Sequence, residues 1–161
     1  MTVSSIRHAG CLALRRGGAW RGALIEGPSA IGKSDLALRA MEHGFRLVAD
    51  DRTVVFASAG RLFGRVPRRL AGLLEVRGLG VVTASALAFA EIVLVARCHA
   101  AGPAERLPEF APEAICGVEL PVFALCPLEA SAPARLRAAL EHLGERRQQG
   151  YQAPPRPCRG V

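Results

Sequence analysis

Lysine occurs once in this chain, at Lys33; the rest of its 21 lysine and arginine residues are arginine. Aromatic residues are scarce as well, at 5% with one Trp and one Tyr. That scarcity removes the base-stacking platforms on which single-stranded nucleic acids are usually held. The net charge of +7 is dispersed, in pairs such as Arg15-Arg16, Arg68-Arg69 and Arg146-Arg147. No single basic block forms, so no nucleic-acid partner is expected. No apolar run is long enough to span a bilayer, and no membrane span is expected. The opening MTVSSIRHAG lacks the basic-then-apolar order of a signal peptide, which makes the cytoplasm the expected location. The five cysteines are odd in number and contain no C-x-x-C pair, so neither a structural zinc site nor a disulfide framework is indicated.

Half of the 161 residues are apolar, enough for one ordinary globular core. The order of elements predicts one α/β domain over residues 1–147, with a sheet of mixed direction, and a loose tail over 148–161. "GALIEG" (22–27) reads as a buried strand, "KSDLALRAMEHG" (33–44) as a helix closed by Gly44, and "FRLVAD" as a second strand. "RTVVFASAGRLFGRVP" predicts a hairpin turning at Ala59-Gly60. "LLEVRGLGVV" is apolar but interrupted by Gly78 and Gly80, and "AEIVLVARC" (90–98) is the clearest buried strand. A proline-rich irregular stretch then leads to a short strand "PVFAL" and an amphipathic helix over 132–147, with Leu136, Leu140 and Leu143 on one face.

Gly27, Pro28, Ser29, Ala30, Ile31, Gly32, Lys33 and Ser34 match G-x-x-x-x-G-K-[ST] at every position. Glycines let backbone N–H groups turn inward around a polyphosphate, and the following helix offers its positive end. Lys33 supplies a compact point charge for the outer phosphates. Ser34 supplies a hydroxyl suited to Mg²⁺, a cation that prefers oxygen ligands. An apolar strand before the loop and a helix after it give the required context; the competing reading is a plain glycine-rich turn. Asp50 and Asp51 follow after only one helix and one strand. A parallel strand laid beside the first would deliver both carboxylates to the loop's edge of the sheet. There one could orient the metal and the other accept a proton from an attacking hydroxyl. A solvated Asp-Asp turn is the competing reading.

"GPSAIGKSDLALRAMEHGFRLVADD" followed by "LLEVRGLGVV" resembles the catalytic domain of HPr kinase/phosphorylase, the bacterial enzyme acting on a serine of the phosphocarrier HPr. The family joins the same loop, an ADD strand end and an E-[IV]-R-G-[LIM]-G signature, here occupied by Glu75, Arg77, Gly78 and Gly80. The resemblance implies a P-loop kinase fold of the HPr kinase/phosphoenolpyruvate carboxykinase type, with a mixed central sheet flanked by helices. It implies ATP and Mg²⁺ as cofactors and HPr or a nitrogen-type paralogue as the protein partner. It further implies Asp50 as general base, and His8 and Arg106 near the transferred phosphate. Ser34, Asp51 and Glu75 would lie around the metal, and phosphorolysis would be a second activity. A homo-oligomer, a hexamer in the family, is implied too. Ala104 and Pro108 depart from the family pattern around Arg106. The segment "LPVFALCPLEASAPARLRAAL" lacks the family's arginine-glycine loop. The chain resembles the truncated, catalytic-domain-only form of the family. Two other readings of the loop stay open: a small-molecule P-loop kinase, and a nucleotide-binding regulator without catalysis.

Overall fold

The computed structural model describes residues 3–102 and 111–144. Arg106 and the predicted tail lie outside these described residues. Among the described residues, twelve strands and two α-helices follow in chain order, with a short 3-10 turn at Arg68–Leu70. They are β1 (Ser4–Arg7), β2 (Ala9–Arg16), β3 (Ala19–Glu26), α1 (Lys33–Glu42), β4 (Arg46–Ala49), β5 (Thr53–Ser58) and β6 (Arg61–Arg65). There follow β7 (Leu73–Val76), β8 (Gly80–Thr83), β9 (Phe89–Cys98), β10 (Glu113–Ile115), β11 (Val118–Leu120), β12 (Val122–Leu125) and α2 (Ala132–Leu143).

Eight strands form one mixed sheet in the order β1-β5-β6-β9-β3-β2-β4, with β12 also paired to β9. Strand β9 runs parallel to β3 and β12 and antiparallel to β6. Residues Ala90 to Ala96 are all buried, as expected of a central strand covered on both faces. Helices α1 and α2 cover one face, with Leu36, Leu136 and Leu140 packed against Leu12, Ile25, Leu94 and Leu125. On the other face Leu24, Ile92 and Val95 meet Val55, Leu62 and Leu120. Two small hairpins, β7–β8 and β10–β11, lie outside the main sheet.

Local signals explain most boundaries. Helix α1 ends in a Schellman motif: Phe45 N–H reaches Ala40 O at 3.2 Å and Gly44 N–H reaches Met41 O at 3.4 Å. Gly44 adopts φ 88°, which costs glycine little, and the buried Phe45 ring follows it. The predicted hairpin is β5–β6, and its two-residue turn Ala59-Gly60 has φ 50° and 73°, matching the right-handed twist of the strands.

Three expectations need correction. Strand β4 is not laid directly beside β3: β2 lies between them and is antiparallel to both. The glycine-broken run at 73–83 is a hairpin, because Gly78 and Gly80 take positive φ and let the chain reverse. The irregular stretch before "PVFAL" contains the β10–β11 hairpin, turned at Cys116-Gly117.

Candidate active site

The inserted strand β2 gathers the site. Because β2 opposes both neighbours, its first residue pairs with the last of β3 (Ala9 with Glu26), and Cys11 pairs with the last of β4, Ala49. Three chain points therefore meet at one edge: His8 just before β2, the loop from Gly27 just after β3, and Asp50-Asp51 just after β4. The short spacing noticed in the sequence still brings the aspartates to the loop, through a strand the sequence did not reveal.

The loop wraps the start of α1, whose N-cap Gly32 (φ 112°) offers no side-chain cap to the helix N–H groups. Those donors are left for an anion. Lys33 is buried, and its Nζ donates to Gly27 O and Pro28 O, each at 2.8 Å. The ammonium thus stays inside the loop. Two glycines shape the loop, Gly27 by close packing on the Cys98 Cβ and Gly32 by its φ of 112°. A Cβ on Gly27 would lie 2.8 Å from Cys98 Cβ, and one on Gly32 would lie 2.6 Å from Leu128 Cδ2. Ala30 carries a side chain at φ 62°, a left-handed conformation that glycine would adopt with less strain.

Ser34 Oγ donates to Asp50 Oδ1 at 2.8 Å, and the Glu75 backbone N–H donates to Asp50 Oδ2 at 3.0 Å. Both oxygens of Asp50 are therefore tied, one to the loop serine and one to the β7–β8 hairpin. Asp51 is exposed and stands 2.7 Å from His8 Nε2 through Oδ1. Glu75 joins the site through its main chain, while its own side chain faces solvent. The family resemblance implies a place near the metal for its carboxylate. Gly10 was missed: a Cβ there would sit 2.8 Å from the Asp50 carbonyl oxygen, so this glycine lets the strand end close in. Also missed were Arg7 and Glu26, paired at 2.5 Å beside His8 and the loop.

Among the described residues, no group of three or more His, Cys, Asp or Glu side chains could hold a metal ion unaided. The oxygen donors Ser34, Asp50 and Asp51 do fit a cation held mostly by phosphates and water, as Mg²⁺ is in nucleotide sites. No helix of the described residues is long and apolar enough to cross a membrane.

Comparison with known proteins points to one family. The HPr kinase/phosphorylase of Malacoplasma penetrans is 42% identical over 64 residues, which is 40% of this chain and 21% of that protein. That of Clostridium perfringens strain 13 is 48% identical over 66 residues, or 41% and 22%. These alignments span about a fifth of the relatives' own length. The fold is similar to the structure of the Hpr(Ser) kinase/phosphatase from Coxiella burnetii, with a TM-score of 0.72 and 22% identity. That match covers 85% of this chain and 94% of the other. A family model, the HPr serine kinase C-terminal domain, matches residues 11–95, which take in the loop, both aspartates and Glu75. The match covers more than half of the sequence, and the chain belongs to the HPr serine kinase C-terminal domain family.

Proposed function

We propose that the protein is an ATP- and Mg²⁺-dependent serine kinase acting on an HPr-type phosphocarrier, HPr itself or a nitrogen-type paralogue, in the cytoplasm. The observation that carries this reading is the bond from Ser34 Oγ to Asp50 Oδ1. It joins a nucleotide loop to an acidic strand end beside a His–Asp pair, on a chain of the HPr kinase family.

The residues divide into a donor side and an acceptor side. On the donor side Gly27 to Ser34 hold the polyphosphate, and Lys33 turns from the loop carbonyls to the outer phosphates. Ser34 and Asp50 would hold Mg²⁺, which when bound draws negative charge from the β- and γ-phosphates. On the acceptor side the serine oxygen of the phosphocarrier forms a bond to the γ-phosphorus. The bond from that phosphorus to the β,γ-bridging oxygen breaks, and ADP departs. The hydroxyl proton passes to the His8–Asp51 pair, where Asp51 Oδ2 has no hydrogen-bond partner among the described residues.

This assignment exchanges the two aspartates relative to the resemblance, which implies Asp50 as base and Asp51 beside the metal. The physical reason is occupancy. A carboxylate with both oxygens bound to the loop serine and a backbone N–H is poorly placed to receive a proton. An exposed carboxylate supported by an imidazole is well placed. Arg106 remains a proposed charge-stabilising residue, on the resemblance alone.

The test is incubation of the purified chain with γ-labelled ATP, Mg²⁺ and HPr, followed by the same assay on Asp50→Asn and Asp51→Asn. Label should reach an HPr serine. Asp51→Asn should lose transfer while keeping Mg²⁺–nucleotide affinity, and Asp50→Asn should weaken that affinity. Absence of transfer from a folded protein at every Mg²⁺ concentration would refute the kinase reading. Adding phosphate and phosphorylated HPr tests the phosphorolysis direction in the same mixture.

A further inference from the structure

Around His8 the chain is gripped on both sides. His8 is the single residue between β1 and β2, a bend where pairing passes from β5 to β3. On its far side the buried Thr53 Oγ1 donates to Ala9 O at 2.8 Å. On its near side Arg7 donates through Nε (2.8 Å) and Nη2 (2.5 Å) to Glu26 Oε1, and through Nη2 to Glu113 Oε1 at 2.8 Å. Arg97 completes the ring, pairing with Glu113 and, at 3.5 Å, with Glu26. Glu26 is the residue immediately before the phosphate loop, and its side chain is only 14% exposed. Four charges thus connect the residue beside His8, the residue beside Gly27, the end of β9 and the start of β10. Burial opposes charge on Glu113, but hydrogen bonds and attraction from Arg7 and Arg97 outweigh it and hold the carboxyl below its usual range.

We infer that Arg7 is a positioning residue for phosphoryl transfer: through Glu26 it fixes the distance between the His8–Asp51 pair and the phosphate loop. The two ends of this link are the neighbours of the reacting groups, so a slack Arg7 side chain lets His8 swing relative to the bound phosphate. Arg97 carries the same charge in the same ring but is adjacent to neither group in sequence. That asymmetry separates positioning from a general electrostatic effect. The inference rests on the proposed role of His8 in transfer.

The test compares Arg7→Met with Arg97→Met, since each removes one positive charge and leaves both glutamates one arginine. Arg7→Met should lower kcat for HPr phosphorylation about tenfold with the KM for ATP within about twofold, because a sub-ångström misplacement of a reacting group acts on rate. Arg97→Met should stay within about twofold of the parent in both. In a His8→Gln background Arg7→Met should add almost no further loss, as expected of residues acting through one group. Equal losses in the two arginine variants, or full additivity with His8→Gln, would overturn the inference. A parent enzyme unaffected by His8→Gln would instead overturn the proposed role of His8. Should Arg7→Met fold poorly, Arg7→Lys replaces it, with the same kinetics expected in weaker form. The imidazole Cε1–H resonance of His8 at fixed pH gives a readout free of activity. It should move in the Arg7 variant and not in Arg97→Met; an unmoved signal counts against the inference.

Discussion

Replacing Gly10 by alanine tests whether close approach of two strands sets the catalytic geometry. Gly10 lies in β2, between β3 and β4, and belongs to no nucleotide motif. A Cβ there would be 2.8 Å from the Asp50 carbonyl oxygen and 3.4 Å from that of Ala49. Both are backbone atoms, so no flexible side chain can swing aside. Ordinary contact begins near 3.4 Å, and the end of β4 must retreat by roughly half an ångström. Forcing one methyl into such a site costs about 1–3 kcal/mol. For a chain of this length that lowers Tm by about 3–9 °C, at roughly 3 °C per kcal/mol. The same retreat pulls Asp50 from Ser34 Oγ and Asp51 from His8. With 1 Å of misplacement worth on the order of 100-fold in rate, half of that predicts a loss of about tenfold. Thermal unfolding followed by circular dichroism gives the first number, and labelled-ATP transfer to HPr at saturating nucleotide gives the second. A Gly10→Ala protein that melts and transfers like the parent would show that the β2–β4 approach is slack and does not set the site.

Three further outcomes follow from single features. Ala30 sits at φ 62°, where β-branched residues are strongly disfavoured. Ala30→Val should therefore weaken ATP binding on the order of tenfold in calorimetry, while Ala30→Gly keeps or improves it. The folded-state pKa of Glu113 is lowered, so its pairing stabilises the protein above the ordinary glutamate value of about 4.3 and is lost as pH falls through the lower folded value. Acid unfolding below pH 4 should consequently be shallower in Glu113→Gln than in the parent; identical slopes would count against a stabilising role. Burial pushes the thiol of Cys11 up to about 12 and that of Cys98 up to about 11, whereas Cys116 is partly exposed. Iodoacetamide at pH 8 should label Cys116 before either of them, and peptide mass analysis with and without denaturant reads the order.

The turn from β3 into α1 was legible because an apolar run precedes it and a helical pattern closed by Gly44 follows it, and the aspartate pair because one helix and one strand separate it from that turn. The route between them was not. Strand β2, "AGCLALRR", is buried from Ala9 to Leu14 and is rich in small residues of low strand propensity. A strand covered on both faces shows no alternation, so neither signal marked it. The β10–β11 turn uses Cys116-Gly117 where Asn-Gly would have been recognised. The contribution of Glu75 runs through a backbone N–H, a group every residue except proline carries, and no side-chain pattern can announce it. Arg7 and Glu113 are 106 positions apart, and their pairing exists only once β1 and β10 have been brought to one edge.

The β2–β3 hairpin that assembles the site also leaves a remote handle. Its turn, Gly17-Gly18, has positive φ at both residues, and a Cβ at either would meet nothing within 4 Å. Eight residues of strand at about 3.4 Å each separate that turn from His8 and Gly27, a distance of roughly 27 Å. A fluorophore or short peptide inserted there, on glycines or on an Asn-Gly replacement that keeps the turn, would ride on the two strands that lead to His8 and to the loop at 27–34. It would report their movement on ligand binding from that distance.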